Sequence, residues 1–199
     1  MQQEHIEREI KIKIEDPKQL ISKLKEKGAE FVGKAFQKTT RFDDHSSSLD
    51  QRGIFLRTRS GFSNTVTVKR RINGRGIVSE REEYEAEVED IEVFRRMFVT
   101  LGFDWERIME KYRLDFKINE TVVSVDELSI GFFMEIEGEE SKILETVALL
   151  GLDMRKKFLG SYWDIFYEET GKTGGRGENI NFDEGYEPVL YGIVEDLSI

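Results

Sequence analysis

The chain has 199 residues, with 30 Lys and Arg against 40 Asp and Glu, so its formal net charge is -10. That balance disfavours non-specific binding to DNA or RNA, where affinity comes mainly from neutralised phosphates, and no nucleic-acid partner is expected. The absence of Cys excludes disulfides, thiolate metal sites and cysteine nucleophiles, while 14 Phe and 6 Tyr are too many aromatics for a disordered chain.

No run of about 18 apolar residues is present, so no membrane span is expected. Met1-Gln2-Gln3-Glu4-His5 shows no basic stretch leading into an apolar one, so no secretory signal is expected either, and the reading is a cytoplasmic protein.

The first element is Ile6 to Glu15, which alternates strictly: Ile6, Arg8, Ile10, Ile12 and Ile14 on one face, and Glu7, Glu9, Lys11, Lys13 and Glu15 on the other. Period two with isoleucines predicts a strand. Asp16-Pro17 predicts a helix start, Leu20, Ile21 and Leu24 a helical stripe, and Gly28 its end. Strands follow over Ile54–Arg59 and Thr65–Arg71, and Asn73-Gly74-Arg75-Gly76 signals a hairpin turn.

The sequence of strand, capped helix and glycine then recurs. Glu80–Glu89 alternates and runs into Asp90, which begins a helix carrying Ile91, Phe94, Phe98 and Leu101 before Gly102. Phe132–Glu137 alternates and leads to Ser141, which is expected to cap a helix carrying Ile143, Leu144, Val147 and Leu150 before Gly151. Gln37–Asp43 after the first helix resembles Glu110–Asp115 after the second, which suggests an internal duplication within one domain. Strands over Lys111–Ile118 and Thr121–Leu128 complete about eight mostly antiparallel strands with three or four helices. Residues 171–178 are Gly-rich, and the acidic, partly aromatic tail to Ile199 either docks on the body or is disordered.

One-sided charge is ordinary for a half-solvated antiparallel sheet. Here the signs cluster: Glu7/Glu9, Glu83/Glu85 and Glu135/Glu137 are acidic pairs two residues apart, and Arg57/Arg59, Lys69/Arg71 and Lys111/Arg113 are basic ones. Carboxylate pairs suit a hard divalent cation, and several Arg and Lys from separate strands suit a polyanion. Closing the sheet into a barrel would bring both sets into one lumen, with helices covering the apolar outside; cross-strand pairs on a plain surface are the competing reading.

Glu7-x-Glu9-x-Lys11 resembles the ExExK signature of the CYTH superfamily, also called triphosphate tunnel metalloenzymes. Leu56-Arg57-Thr58-Arg59, Thr67-Val68-Lys69, Arg81-Glu82-Glu83-Tyr84-Glu85, Lys111-Tyr112-Arg113, Val125-Asp126-Glu127-Leu128, Gly131, Phe133–Glu137 and Ser161-Tyr162 follow in that family's order. The resemblance spans roughly residues 4–170 and is strongest to the branch of class IV adenylyl cyclases and thiamine triphosphatases. Thr39 and Arg41 stand where the family often has Asp and Tyr, so the resemblance assigns them no role. A late family lysine falls at Lys156 or Lys157.

The resemblance implies an α+β fold: a closed eight-stranded antiparallel β-barrel, the tunnel, over residues 1–170, followed by a connection and tail over 171–199. It implies Mg2+ or Mn2+ held by Glu7, Glu9, Asp126, Glu135 and Glu137. Lys11, Arg57, Arg59, Lys69, Lys111 and Arg113 would hold phosphates, with Glu9, Lys11 and Arg57 catalytic and Arg81, Glu83 and Glu85 in support. The expected ligand is a triphosphate: ATP, tripolyphosphate or thiamine triphosphate. Cyclisation of ATP to cyclic AMP and pyrophosphate, phosphohydrolysis, and binding without turnover all stay open, in a monomer or homodimer.

Other signals are weaker. Gly171-Lys172-Thr173 ends like a phosphate-binding loop, but Phe166 stands where that motif needs Gly. His5 and His45 are isolated, Ser46–Ser48 lack a histidine partner, and Trp105 and Trp163 read as packing residues.

Overall fold

A computed structural model describes residues 5–72, 76–172 and 178–197. The hairpin signal at Asn73–Arg75 lies outside them. The elements run β1 (Ile6–Ile14), α1 (Pro17–Glu26), β2 (Glu30–Asp43), α2 (Ser48–Gln51), β3 (Ile54–Ser60), β4 (Thr65–Arg71), β5 (Ser79–Glu87) and α3 (Ile91–Thr100). There follow β6 (Trp105–Ile118), β7 (Thr121–Leu128), β8 (Gly131–Glu137), α4 (Glu140–Leu149), β9 (Lys157–Phe158), α5 (Tyr162–Thr170) and α6 (Val189–Asp196).

Eight strands pair antiparallel in the order β5-β4-β3-β2-β6-β7-β8-β1, and β1 also pairs with β5, which closes the ring; the short β9 adds to β1. The expected α+β tunnel is therefore present. The ring carries the duplication that the sequence suggests: β1 pairs with β5, β2 with β6, and each half continues by consecutive hairpin pairings.

Local signals explain several boundaries. The Asp16 side chain accepts from the Gln19 backbone N–H, with Pro17 at the first helical position, and Asp90 accepts from Glu92 and Val93 in the same way. α4 departs from expectation. It starts at Glu140 with Glu139 as its cap residue, and Ser141 already lies inside its first turn, because the chain leaves β8 through Gly138 at φ 155°. β6 begins at Trp105, six residues before the predicted Lys111, because its pairing with β2 continues to Asp43↔Trp105.

Alternation then divides the ring into two environments. Outward residues of β1, β6, β7 and β8 (Ile10, Ile12, Leu114, Phe116, Val123, Val125, Met134 and Ile136) form one core with Leu20, Ile21 and Leu24 of α1, Ile143 and Val147 of α4, and Leu190, Ile193 and Val194 of α6. Full burial of each such side chain is worth about 1.5–3 kcal/mol. A second cluster joins Met109, Leu128 and Phe133 to Tyr162, Trp163, Ile165 and Phe166 of α5.

The acidic tail docks. Ile180 forms a parallel bridge to Met109. Glu127 on β7, almost fully buried, accepts from Tyr186 Oη at 2.5 Å, from the Val189 backbone N–H at 3.0 Å and from the Leu190 N–H at 2.9 Å. A carboxylate at these free N–H groups is what a helix start favours.

Candidate active site

The charged positions of separate strands meet on the inner face of the ring, because directly opposed residues of an antiparallel pair share a face. Glu9 lies opposite Glu137 and Lys11 opposite Glu135. Arg113 faces Asp126, Gln37 faces Lys111, and Thr39 faces Arg59. Lys69 faces Glu83, Thr67 faces Glu85, and Glu7 faces Arg81. A cavity of about 750 Å³ runs through this face. Glu7, Glu9, Lys11, Arg57, Arg59, Lys69, Arg81, Glu83, Glu85, Lys111, Arg113, Glu135 and Glu137 all line it.

Several cations of the lining already have a carboxylate. Lys69 Nζ lies 2.7 Å from Glu7 and 3.1 Å from Glu83. Lys11 Nζ lies 2.5 Å from Glu9 and 3.3 Å from Glu135. Arg57 reaches Glu85 at 3.4 Å and Glu83 at 3.6 Å. Arg81 pairs with Glu9, and Arg113 with Glu135. Burial opposes ionisation of Glu9, but Lys11, with help from Arg81 and Lys69, holds its pKa at about 2. Glu135 is held well below the usual carboxylate range, since Lys11, Arg113 and Lys111 outweigh its burial.

Asp126 stands apart from the other candidates. It is fully buried and does not line the cavity. Arg113 donates to both of its oxygens, at 2.7 Å from Nε and 2.6 Å from a terminal nitrogen. Lys111 Nζ adds a bond of 2.9 Å and Tyr162 Oη one of 2.8 Å. Its carboxylate is thus an anchor that aims Lys111 and Arg113 at the lumen. Burial, with Arg113 beside it, pushes the Lys111 ammonium down to about 7 against the pull of Asp126. Burial, together with Arg57 and Arg113, lowers Arg59 to about 9. Arginine stays charged at neutral pH even so, and the neighbouring charges of Arg57 and Arg113 suit this end of the lumen to an anion.

The donor chemistry fits a hard divalent cation: Glu7, Glu9, Glu135 and Glu137 offer only carboxylate oxygens to the lumen. Glu137 is raised to about 7 by confinement and by the charges of Glu7, Glu9 and Glu135, although water reaches it and screens part of the effect. A bound cation would relieve that crowding. Among the described residues no three Asp, Glu or His side chains converge on one point, since lysines and arginines occupy the carboxylates; binding an ion means displacing some of those contacts.

Sequence reasoning assigned no role to Arg41 and did not single out Arg107, yet both are buried and line the cavity. The signal was there for Arg107, which keeps the two-residue period of Lys111 and Arg113 but lies before the expected strand start. Lys156 and Lys157 do not line the cavity; Lys156 meets Glu15, and Lys157 donates to the Ile77 carbonyl. Gly171 is the left-handed residue after α5, φ 68°, which sets the phosphate-loop signal aside. His5 and Trp163 both line the cavity, and Trp163, on α5, also belongs to the second core cluster.

Comparison with known proteins agrees with this geometry. The profile described as CYTH domain matches residues 5–157. The chain belongs to the CYTH family. A Methanocaldococcus jannaschii protein, provisionally named an adenylate cyclase, is 31% identical over 147 residues, covering 70% of this chain and 84% of that protein. A conserved hypothetical protein of Pyrococcus furiosus, 26% identical, superposes with a TM-score of 0.69 over 79% of this chain and 98% of its own. A Hippeastrum protein provisionally named an adenylyl cyclase, and described as having a dominant triphosphatase activity, shares the fold at 17% identity, with a TM-score of 0.56 over 84% of this chain and 96% of that one. CYTH proteins are metal-dependent enzymes acting on triphosphates.

Proposed function

We propose that this CYTH protein is a metal-dependent phosphohydrolase of linear triphosphates, tripolyphosphate or thiamine triphosphate. One observation carries the reading: Lys11, Arg57, Arg59, Lys69, Lys111 and Arg113 reach one cavity from β1, β3, β4 and β6, an arrangement whose chemical complement is a polyanion. Lys111 and Arg113, aimed by Asp126, grip one part of the phosphate chain. Arg57 and Arg59 grip another, and Lys11 stands beside Glu9 where the two sets of charges meet.

Mg2+ or Mn2+ would be held by Glu7, Glu9, Glu135 and Glu137, and would supply charge neutralisation and activation of the attacking oxygen. The remaining work of phosphoryl transfer is positioning and electrostatic stabilisation, so no covalent nucleophile is required. The cations keep the chain extended so that attacking and leaving oxygens can lie in line at the terminal phosphorus. The ring walls limit the water around the reacting phosphate, which strengthens each of these contacts.

The name of the Methanocaldococcus relative favours a second reading, in which a ribose 3′-hydroxyl replaces water and attacks the α-phosphorus of ATP. Product analysis separates the two. Tripolyphosphate, thiamine triphosphate and ATP are each incubated with Mg2+ and with Mn2+. Orthophosphate release from tripolyphosphate or thiamine triphosphate supports the hydrolase, and pyrophosphate with cyclic AMP supports the cyclase. Tight tripolyphosphate binding with no turnover of any of the three makes the chain a binding module and refutes both.

A further inference from the structure

Beyond the cations already described, the register of three neighbouring strands puts three arginines in one row. Arg107 of β6 lies opposite Arg41 of β2, and Arg41 lies opposite Arg57 of β3. All three are buried and all line the cavity. Like charges directly opposed across strands are destabilising, so a fold that keeps three of them needs compensation. The protein supplies only part of it. Arg41 pairs with Asp50, a largely exposed side chain. Arg57 has the distant contacts to Glu83 and Glu85. Arg107 donates to the neutral Tyr167 hydroxyl and has no ion pair among the described residues. Arg41 Nε, Arg57 Nε and the Trp163 indole N–H are buried with no hydrogen-bond partner among the described residues.

Arg41 lies over the Phe55 ring, 4.7 Å from its centroid, and Arg107 lies near Trp105 and Trp163 at 5.8 Å and 5.6 Å. Guanidinium groups read oxyanions bidentately through their N–H edges. The row is also set away from the Lys111–Arg113 grip. Along β6, Arg107 lies four residues from Lys111 and six from Arg113, about 13 Å and 20 Å of extended backbone. Three linked phosphoryl groups, four bridging bonds from first phosphorus to last, are short against those lengths.

We propose that Arg41 and Arg107, which continue the row from Arg57 of the triphosphate grip, form a further phosphate subsite that takes a phosphoryl group beyond the three of a triphosphate. This rests on the reading of the cavity as a triphosphate tunnel and extends its substrate class. The subsite is served either by the next unit of a longer linear polyphosphate or by a separate orthophosphate.

The test is calorimetric binding in chelator, where no turnover occurs. Tripolyphosphate, linear tetrapolyphosphate, and orthophosphate added to tripolyphosphate-saturated protein are compared for the wild type, Arg41→Gln and Arg107→Gln, with Arg41→Lys and Arg107→Lys in reserve should a Gln variant melt early. One charge-assisted hydrogen bond is worth about 1.5–3 kcal/mol, so the wild type should prefer tetrapolyphosphate over tripolyphosphate by about tenfold or more. Each Gln variant should lose most of that preference. A linked source shows as this lost preference. A free source shows as orthophosphate binding to the saturated wild type that either Gln variant abolishes. Equal affinity for the two polyphosphates, with no orthophosphate binding, overturns the subsite. So does an effect that both variants leave untouched. Failure of tripolyphosphate itself to bind, both in chelator and with Mg2+, would instead refute the tunnel reading.

Discussion

Asp126→Asn is the substitution that best separates an anchoring role for this residue from a metal-binding one. The change keeps shape but removes the charge that faces Arg113 and Lys111 at 2.6–2.9 Å in a fully buried position. Breaking a buried ion pair by neutralising one partner costs about 3–5 kcal/mol, because the other charge is left uncompensated. For a chain of this size that is a fall in melting temperature of roughly 6–20 °C. A second consequence follows from Lys111. Its ammonium already sits near pKa 7 through burial and Arg113. Without Asp126 it drops further, so the variant should bind tripolyphosphate more weakly, and more so at pH 8 than at pH 6. The assay is thermal and urea unfolding of ligand-free, chelator-treated protein, followed by metal-free tripolyphosphate titration at both pH values. An Asn variant within about 1 kcal/mol of the wild type without metal, but lacking metal-dependent stabilisation, would refute the anchor and return Asp126 to the ligand set.

Glu9 gives a pH prediction. Its folded pKa of about 2 lies below the ordinary 4.5, so the unfolded chain binds the extra proton in between; its stabilisation, of order 3 kcal/mol, should be present above pH 4.5 and lost as pH falls towards 2. Acid unfolding of Glu9→Gln, measured beside the wild type, should show a shallower slope across that window. Tripolyphosphate at about 100 times its dissociation constant should add roughly 2.7 kcal/mol, and Mg2+ or Mn2+ should increase the gain; a melting temperature unmoved by millimolar tripolyphosphate plus metal would remove the polyanion site. Leu190→Ala on α6 empties a fully buried position, so urea unfolding should show a loss of about 2–5 kcal/mol; a loss below 1 kcal/mol would mean that the tail does not share the core.

Much of this protein is local in origin and could be read from the chain. Strict alternation in β1 assigns Glu9 and Lys11 to one face and Ile10 and Ile12 to the other, because successive strand side chains point oppositely whatever the tertiary context. The same rule puts Arg57 with Arg59, and Glu135 with Glu137. Asp16 and Asp90 announce their helices because a cap bond involves only the next few residues.

Tertiary structure decided what those faces meet. Alternation could not say whether the charged side faced water or a lumen; closure of β1 onto β5 did so, through a pairing some 70 residues apart in sequence. It also could not distinguish carboxylates of one type: Glu135 lines the cavity, while Asp126, with a similar local pattern, is sunk beneath Lys111, Arg113 and Tyr162. Nor could it show that Arg41, Arg57 and Arg107 stand in one row, since register between strands is a long-range property. The tail is the last case: its docking depends on Glu127, an acidic residue that in sequence resembles any other and that becomes a helix cap only when α6 arrives above it.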